Sequence, residues 1–138
     1  MSGWETVHSI LDYWDGPISG VADKGGAPHA FRRRWIVEAD DWGSEYLVRP
    51  IDAETLALVV EDWAIWERWR AAFDRGQVGL DTHPALPPER ARKSDLQRAL
   101  AGRLDVPDDA PRFKAEFRGD LYKGPAEVRW LELTGLGD

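Results

Sequence analysis

The sequence contains no cysteine in its 138 residues, which excludes disulfide bridges, thiolate metal sites and a cysteine nucleophile. That absence favours a reducing compartment, and the chain is expected in the cytoplasm of a bacterial cell. No run of about 18 apolar residues occurs, so no membrane span is expected. The opening Met1-Ser2-Gly3-Trp4-Glu5 lacks a basic region followed by an apolar run, so export is not expected either. Positive charge is in deficit: 18 Lys and Arg stand against 25 Asp and Glu, a formal net charge of −7 that makes nucleic acid an unexpected partner.

Phosphate cradles and hydrolase elbows are missing too. No G-x-x-x-x-G-K-[ST] occurs, and Gly16, Gly20, Gly25 and Gly26 do not make a G-x-G-x-x-G ahead of a helix. Neither Ser9 nor Ser19 lies in a G-x-S-x-G elbow. No cofactor is expected. His8, His29 and His83 fall on separate elements without ligand spacing, so no metal is expected. A site built from His8, His29 and Asp23 would require the first and third strands to pair. Within one strand, His8 and Asp12 would lie about 13 Å apart, too far for a dyad.

What is present is a foldable composition, 43% hydrophobic and 31% charged, in a chain long enough for one core. One domain over residues 1–138 is expected. Eight tryptophans stand out, each a large apolar body whose N–H wants a partner when buried.

Strands are expected over residues 6–13, 18–23, 28–37 and 45–51, with Trp14-Asp15-Gly16-Pro17 turning the chain after the first. Gly25-Gly26 supplies the positive φ angles of a hairpin turn. Asp40-Asp41-Trp42-Gly43 reads as a solvated connection between the third and fourth strands. Asp52 is a good N-cap, and nothing breaks the helix before Gly76, so a helix over residues 53–75 should reach about 35 Å. A second helix carries Leu96, Leu100 and Leu104 on one stripe. Its start is open between Pro88 as first helical residue and a capping box of Ser94 with Gln97. Phe113, Ala115 and Phe117 alternate with charged residues as a fifth strand, residues 119–125 turn, and residues 127–133 form a sixth. The fold class is α+β: a mainly antiparallel twisted sheet or small open barrel of about six strands, with two helices inserted between strands four and five and packed on one side of the sheet.

Two groups of residues carry candidate chemistry. On the third strand, His29, Phe31, Arg33, Trp35 and Val37 share a face, and the aromatic face is the expected core side. His29 and Arg33 would then need partners or a cavity. Equally, both can sit at the edges of the sheet, with Arg33 stacked on an aromatic ring. Arg32, Arg33 and Arg34 divide between two faces and make no continuous basic stripe.

On the long helix, apolar side chains from Leu56 to Phe73 sweep roughly 200°. Inside that arc Asp62, Trp66 and Arg70 follow each other at i, i+4, i+8. Such a row can floor a pocket, Trp66 stacking and the charges orienting a ligand. It can instead answer partners on the sheet, Asp62 meeting Arg33 or Arg49.

The leading expectation is a ligand- or partner-binding domain whose Trp-rich helix packs on the sheet, with Arg33, Trp35, Trp66 and Arg70 contacting a small molecule or protein. A second is a small metal-independent enzyme with His29 as proton carrier, Asp62 as its carboxylate and Arg33 or Arg70 as anion clamp. A third is an acidic immunity or inhibitor-type protein that masks a basic partner.

Overall fold

Six antiparallel strands form where alternating apolar residues and turn chemistry placed them. In the computed structural model, which describes residues 3–13, 16–120 and 125–132, these are β1 (Glu5–Tyr13), β2 (Pro17–Lys24), β3 (Ala27–Ile36), β4 (Asp41–Pro50), β5 (Arg112–Gly119) and β6 (Ala126–Leu131). The expected turn residues Trp14 and Asp15, residues 121–124 of the expected turn before β6, and the expected strand end at Leu133 lie outside the described residues. Each strand pairs with the next, and β1 returns to β6 through Glu5 opposite Val128 and Val7 opposite Ala126. The sheet is thus a closed barrel rather than an open one. Closure satisfies the edges that an open sheet leaves unpaired.

The chain divides into two compact units. Met1–Ile51 with Leu104–Asp138 hold the barrel, and Asp52–Arg103 form a helical insertion between β4 and β5.

The barrel interior is solid. Phe31, Tyr46, Phe117 and Trp130 meet mutually with ring centroids 5.6–6.5 Å apart, mostly edge to face, and Val7, Ala22, Val48, Phe113, Ala115 and Val128 fill the remainder. A six-stranded barrel is narrow enough for side chains to fill it completely. The polar tips find carbonyls: the Tyr46 hydroxyl donates to Pro17 O at 2.6 Å, and Trp130 Nε1 donates to Asp23 O at 2.9 Å. Gly20 faces this interior, and a Cβ there would stand 2.2 Å from the main-chain oxygen of Ser9, so no other residue fits.

The outer side of β3 and β4 is apolar as well. Ala30 and Leu47 are buried under Ile51, Leu104, Val106 and Ala110, and Arg32 Nε pins the covering segment by donating to Val106 O at 2.7 Å.

At the β2–β3 turn, Gly25 and Gly26 take φ of +64° and +79°, and the Glu5 carboxylate accepts both of their N–H groups at 3.0 and 2.8 Å. The β3–β4 turn differs from expectation. It spans residues 37–40, and β4 starts at Asp41, because Trp35 pairs with Trp42 and Ile36 with Asp41 across a longer hairpin. A bulge between Arg33 and Trp35 lets the ladder slip there.

Burial drives the Tyr46 phenol above its usual pKa, against the lowering pull of Arg33. The sign follows: a phenol whose folded pKa is raised contributes stability present below the ordinary phenol pKa and lost as pH rises through the folded value. Ultraviolet titration should therefore show a late tyrosinate transition that disappears in Tyr46→Phe. A titration curve unchanged by that substitution refutes the assignment.

In the helical unit, α1 (Ala53–Asp74) begins as predicted. The Asp52 carboxylate accepts the Thr55 N–H at 2.8 Å, and hydrogen bonding with Thr55 holds that carboxyl below its usual range. Short 3-10 turns at Leu80–Thr82 and Pro87–Glu89 lead into α2 (Arg90–Leu100). Helix α2 therefore starts two residues after Pro88, Ser94 and Gln97 lie inside it rather than capping it, and Leu104 belongs to the barrel unit. Leu58 and Ile65 of α1 meet Leu96 of α2 and Ala85 of the intervening segment. Bidentate pairs of Arg68 with Glu89 and Arg92 with Glu61 fasten the surface of this unit, holding both carboxyls below and both guanidiniums above their usual ranges. Being exposed, they add little to stability.

Candidate functional site

The residues singled out on β3 are engaged within the barrel unit. His29 Nδ1 lies 2.8 Å from Ala27 O, the geometry of an N–H donated to its own hairpin. Arg33 runs along the interior face beside Tyr46, as the alternation from Phe31 requires, and its Nε donates to Gly43 O at 2.6 Å. Trp35 corrects the expectation that it shares the core face. It is 42% exposed and stands edge-on to Trp42 at 5.0 Å, because the bulge after Arg33 breaks the period of two. The three consecutive arginines take separate partners: Arg32 the Val106 carbonyl, Arg33 the Gly43 carbonyl, and Arg34 the Glu45 carboxylate at 3.6 Å.

β1 neighbours β2 and β6, not β3, so His8 does not meet His29 across paired strands. It reaches Asp23 instead, Nε2 to Oδ1 at 2.8 Å. Among the described residues no group of three or more His, Asp or Glu is arranged to hold a metal ion.

On α1 the buried positions are Thr55, Val59, Ile65, Trp69 and Ala72, a stripe at helical spacing that also includes Asp62. Asp62 finds a partner inside its own unit. It faces Lys93 of α2, Oδ1 to Nζ at 2.9 Å, with side-chain exposures of 14% and 9%. Four residues on, Trp66 stacks on Trp63 with centroids 4.9 Å apart, and Arg70 pairs with Asp74 at 3.1 Å. The row of Asp62, Trp66 and Arg70 thus exists, with its charges matched inside the helical unit.

A concavity lies further along the same unit. A cleft of about 300 Å³ opens between the segment after α1 and one face of α2, lined by Asp81, His83, Pro84, Ala85, Arg90, Lys93, Ser94 and Gln97. Its floor is fixed from α1: Trp69 Nε1 donates to Thr82 Oγ1 at 2.8 Å, and the Thr82 hydroxyl donates in turn to Gly79 O at 2.7 Å. The Trp69 ring meets His83 edge-on at 4.7 Å, orienting the imidazole. Across the cleft, Arg90, Lys93, Ser94 and Gln97 follow at i, i+3, i+4 and i+7 on α2, Lys93 bordering the buried side that it shares with Leu96. Lys93 is held between this cleft and Asp62, whose main-chain oxygen also lies 3.4 Å from its ammonium.

Sequence reasoning passed over this cluster. His83 reads as a loop residue, and Ser94 with Gln97 reads as a cap. The signal that was available is the polar spacing at 90, 94 and 97, with Lys93 beside the apolar stripe of Leu96 and Leu100. No protein-family profile, curated protein or solved structure matches this chain. Among the described residues no helix is long and apolar enough to cross a membrane.

Proposed function

We propose that the chain is a ligand-binding module and that the cleft of its helical unit is the binding site. One observation carries this reading: a 300 Å³ concavity gathers a guanidinium, an ammonium, an imidazole, a hydroxyl and an amide within one wall and one loop. Small-molecule sites start at about this size and orient their ligands by a few convergent polar groups; here the polar groups predominate, with Pro84 and Ala85 as the apolar part of the lining. The barrel interior around Phe31 is packed with the rings of Tyr46, Phe113, Phe117 and Trp130. The acid–base alternative needs His29 and Asp62 to act together, whereas one is bound to its own hairpin and the other to Lys93. A net charge of −7, by itself, singles out no face for a basic partner.

A panel of small metabolites, screened by thermal unfolding, should contain compounds that raise the midpoint. Saturation at a hundred times Kd adds about 2.7 kcal/mol. His83→Ala should cancel that rise while costing the unliganded protein only the edge-on contact with Trp69, about 1 kcal/mol. A rise that persists in His83→Ala would move the site elsewhere, and a panel without any rise would overturn the reading.

A further inference from the structure

We infer that the ligand of this cleft carries a compact oxyanion, a carboxylate or phosphate group, gripped by Arg90. The inference rests on the cleft being the binding site, and its support is a comparison of charges inside the helical unit. Arg68, Arg70, Arg92, Arg98 and Arg103 each face a carboxylate, respectively Glu89, Asp74, Glu61, Asp95 and Glu54. Among the described residues two arginines of this unit face no carboxylate, Arg75 just past the end of α1 and Arg90, and of the two only Arg90 lines the cleft. One of the Arg90 terminal nitrogens lies 3.4 Å from the main-chain oxygen of Asp81, at the long limit for a hydrogen bond. Most of the five donors of its planar fork remain for a partner whose shape they fit, and that partner is a carboxylate or phosphate.

The other lining groups suit the same occupant. Lys93 presents ammonium hydrogens whose charge Asp62 already balances, so it can donate without adding a second unmatched cation. Ser94 and Gln97 stand about one and two helical turns beyond Arg90 and donate or accept as required. Asp81 is the one acid of the lining, and its carboxylate is folded back on its own turn, Oδ1 2.7 Å from the place a Cβ on Gly79 would take. Repulsion from the negative surplus of the whole chain fades within about 10 Å at 0.1 M salt, so the nearby guanidinium governs the local field. At about 30 Å³ per water-sized group, the cleft takes a molecule of roughly ten heavy atoms.

The test is a titration of the ¹⁵N-labelled full chain with succinate, glycerol phosphate, inorganic phosphate and the neutral analogue succinamide, followed at the Ala85, Ser94 and Gln97 amides. At least one anion should shift these amides, with succinamide weaker by about tenfold or more, and Arg90→Gln should weaken that anion about tenfold. Arg75→Gln, beyond the end of α1 and outside the lining, should leave it unchanged. Shifts with the phosphates alone, or with succinate alone, identify the source of the oxyanion. Succinamide binding as tightly as succinate, or an anion indifferent to Arg90→Gln, overturns the oxyanion assignment while leaving the cleft a binding site. Amides unmoved by every probe overturn both.

Discussion

Phe31→Ala should lower stability by about 3–5 kcal/mol, a large share of the roughly 5–15 kcal/mol that holds a domain of this kind together. The ring is 1% exposed and touches Tyr46, Phe117 and Trp130 at centroid distances of 5.8, 5.8 and 5.9 Å. Its loss removes transfer energy and leaves a void that a closed barrel cannot collapse to fill, since six hydrogen-bonded strands fix the wall. Urea unfolding measures the change directly, and Phe31→Leu should recover much of it. A loss under about 1 kcal/mol would mean that the interior is loosely packed.

The second large effect belongs to Asp62 and Lys93. Taking away either partner strands a charge in a site 9–14% exposed, and each single alanine variant should cost about 3–5 kcal/mol. Replacing the pair by Asp62→Leu with Lys93→Met should come much closer to the parent, because neither charge is then left alone. A double-mutant cycle gives the coupling. Purely additive losses would show that the two side chains do not act as a pair.

Much of the architecture was readable because local and global signals agree. The β2–β3 hairpin follows from two glycines, α1 from an N-cap and an unbroken run to residue 74, and β5 from the alternation of Phe113, Ala115 and Phe117. Closure of the barrel was not readable, since it depends on Glu5, Thr6 and Val7 finding β6 more than a hundred residues away. Trp35 was misplaced because a single bulge reverses every side chain after it, and one residue of slip leaves no mark in composition. Leu104 continued the stripe of Leu96 and Leu100 yet lies on Ala30 and Leu47. An apolar residue at the right spacing does not say which element it serves.

The candidate site was legible only in part. Asp62 was expected in an i, i+4, i+8 row flooring a pocket against the sheet, and in the structure it pairs with Lys93 of α2. Its partner, Lys93, could not be named, since helix spacing describes one helix and says nothing of which residue a second helix brings opposite. The cleft itself arises from a loop anchored by Trp69 and Thr82, a hydrogen bond between residues thirteen apart that no periodicity encodes.

The helical insertion leaves β4 and re-enters β5 at strands that are already neighbours: Leu47 lies opposite Arg112, and the Val48 N–H bonds to Pro111 O at 3.0 Å. At its own two ends, Arg103 binds Glu54 at 3.0 Å and lies 3.4 Å from the Thr55 hydroxyl. The insertion is therefore a cassette, pinched shut at its base, whose content can drift in evolution without shifting the stave it interrupts. Doubling its length would add only about 0.6 kcal/mol of closure entropy, so new binding chemistry can be tried there at small risk to the barrel.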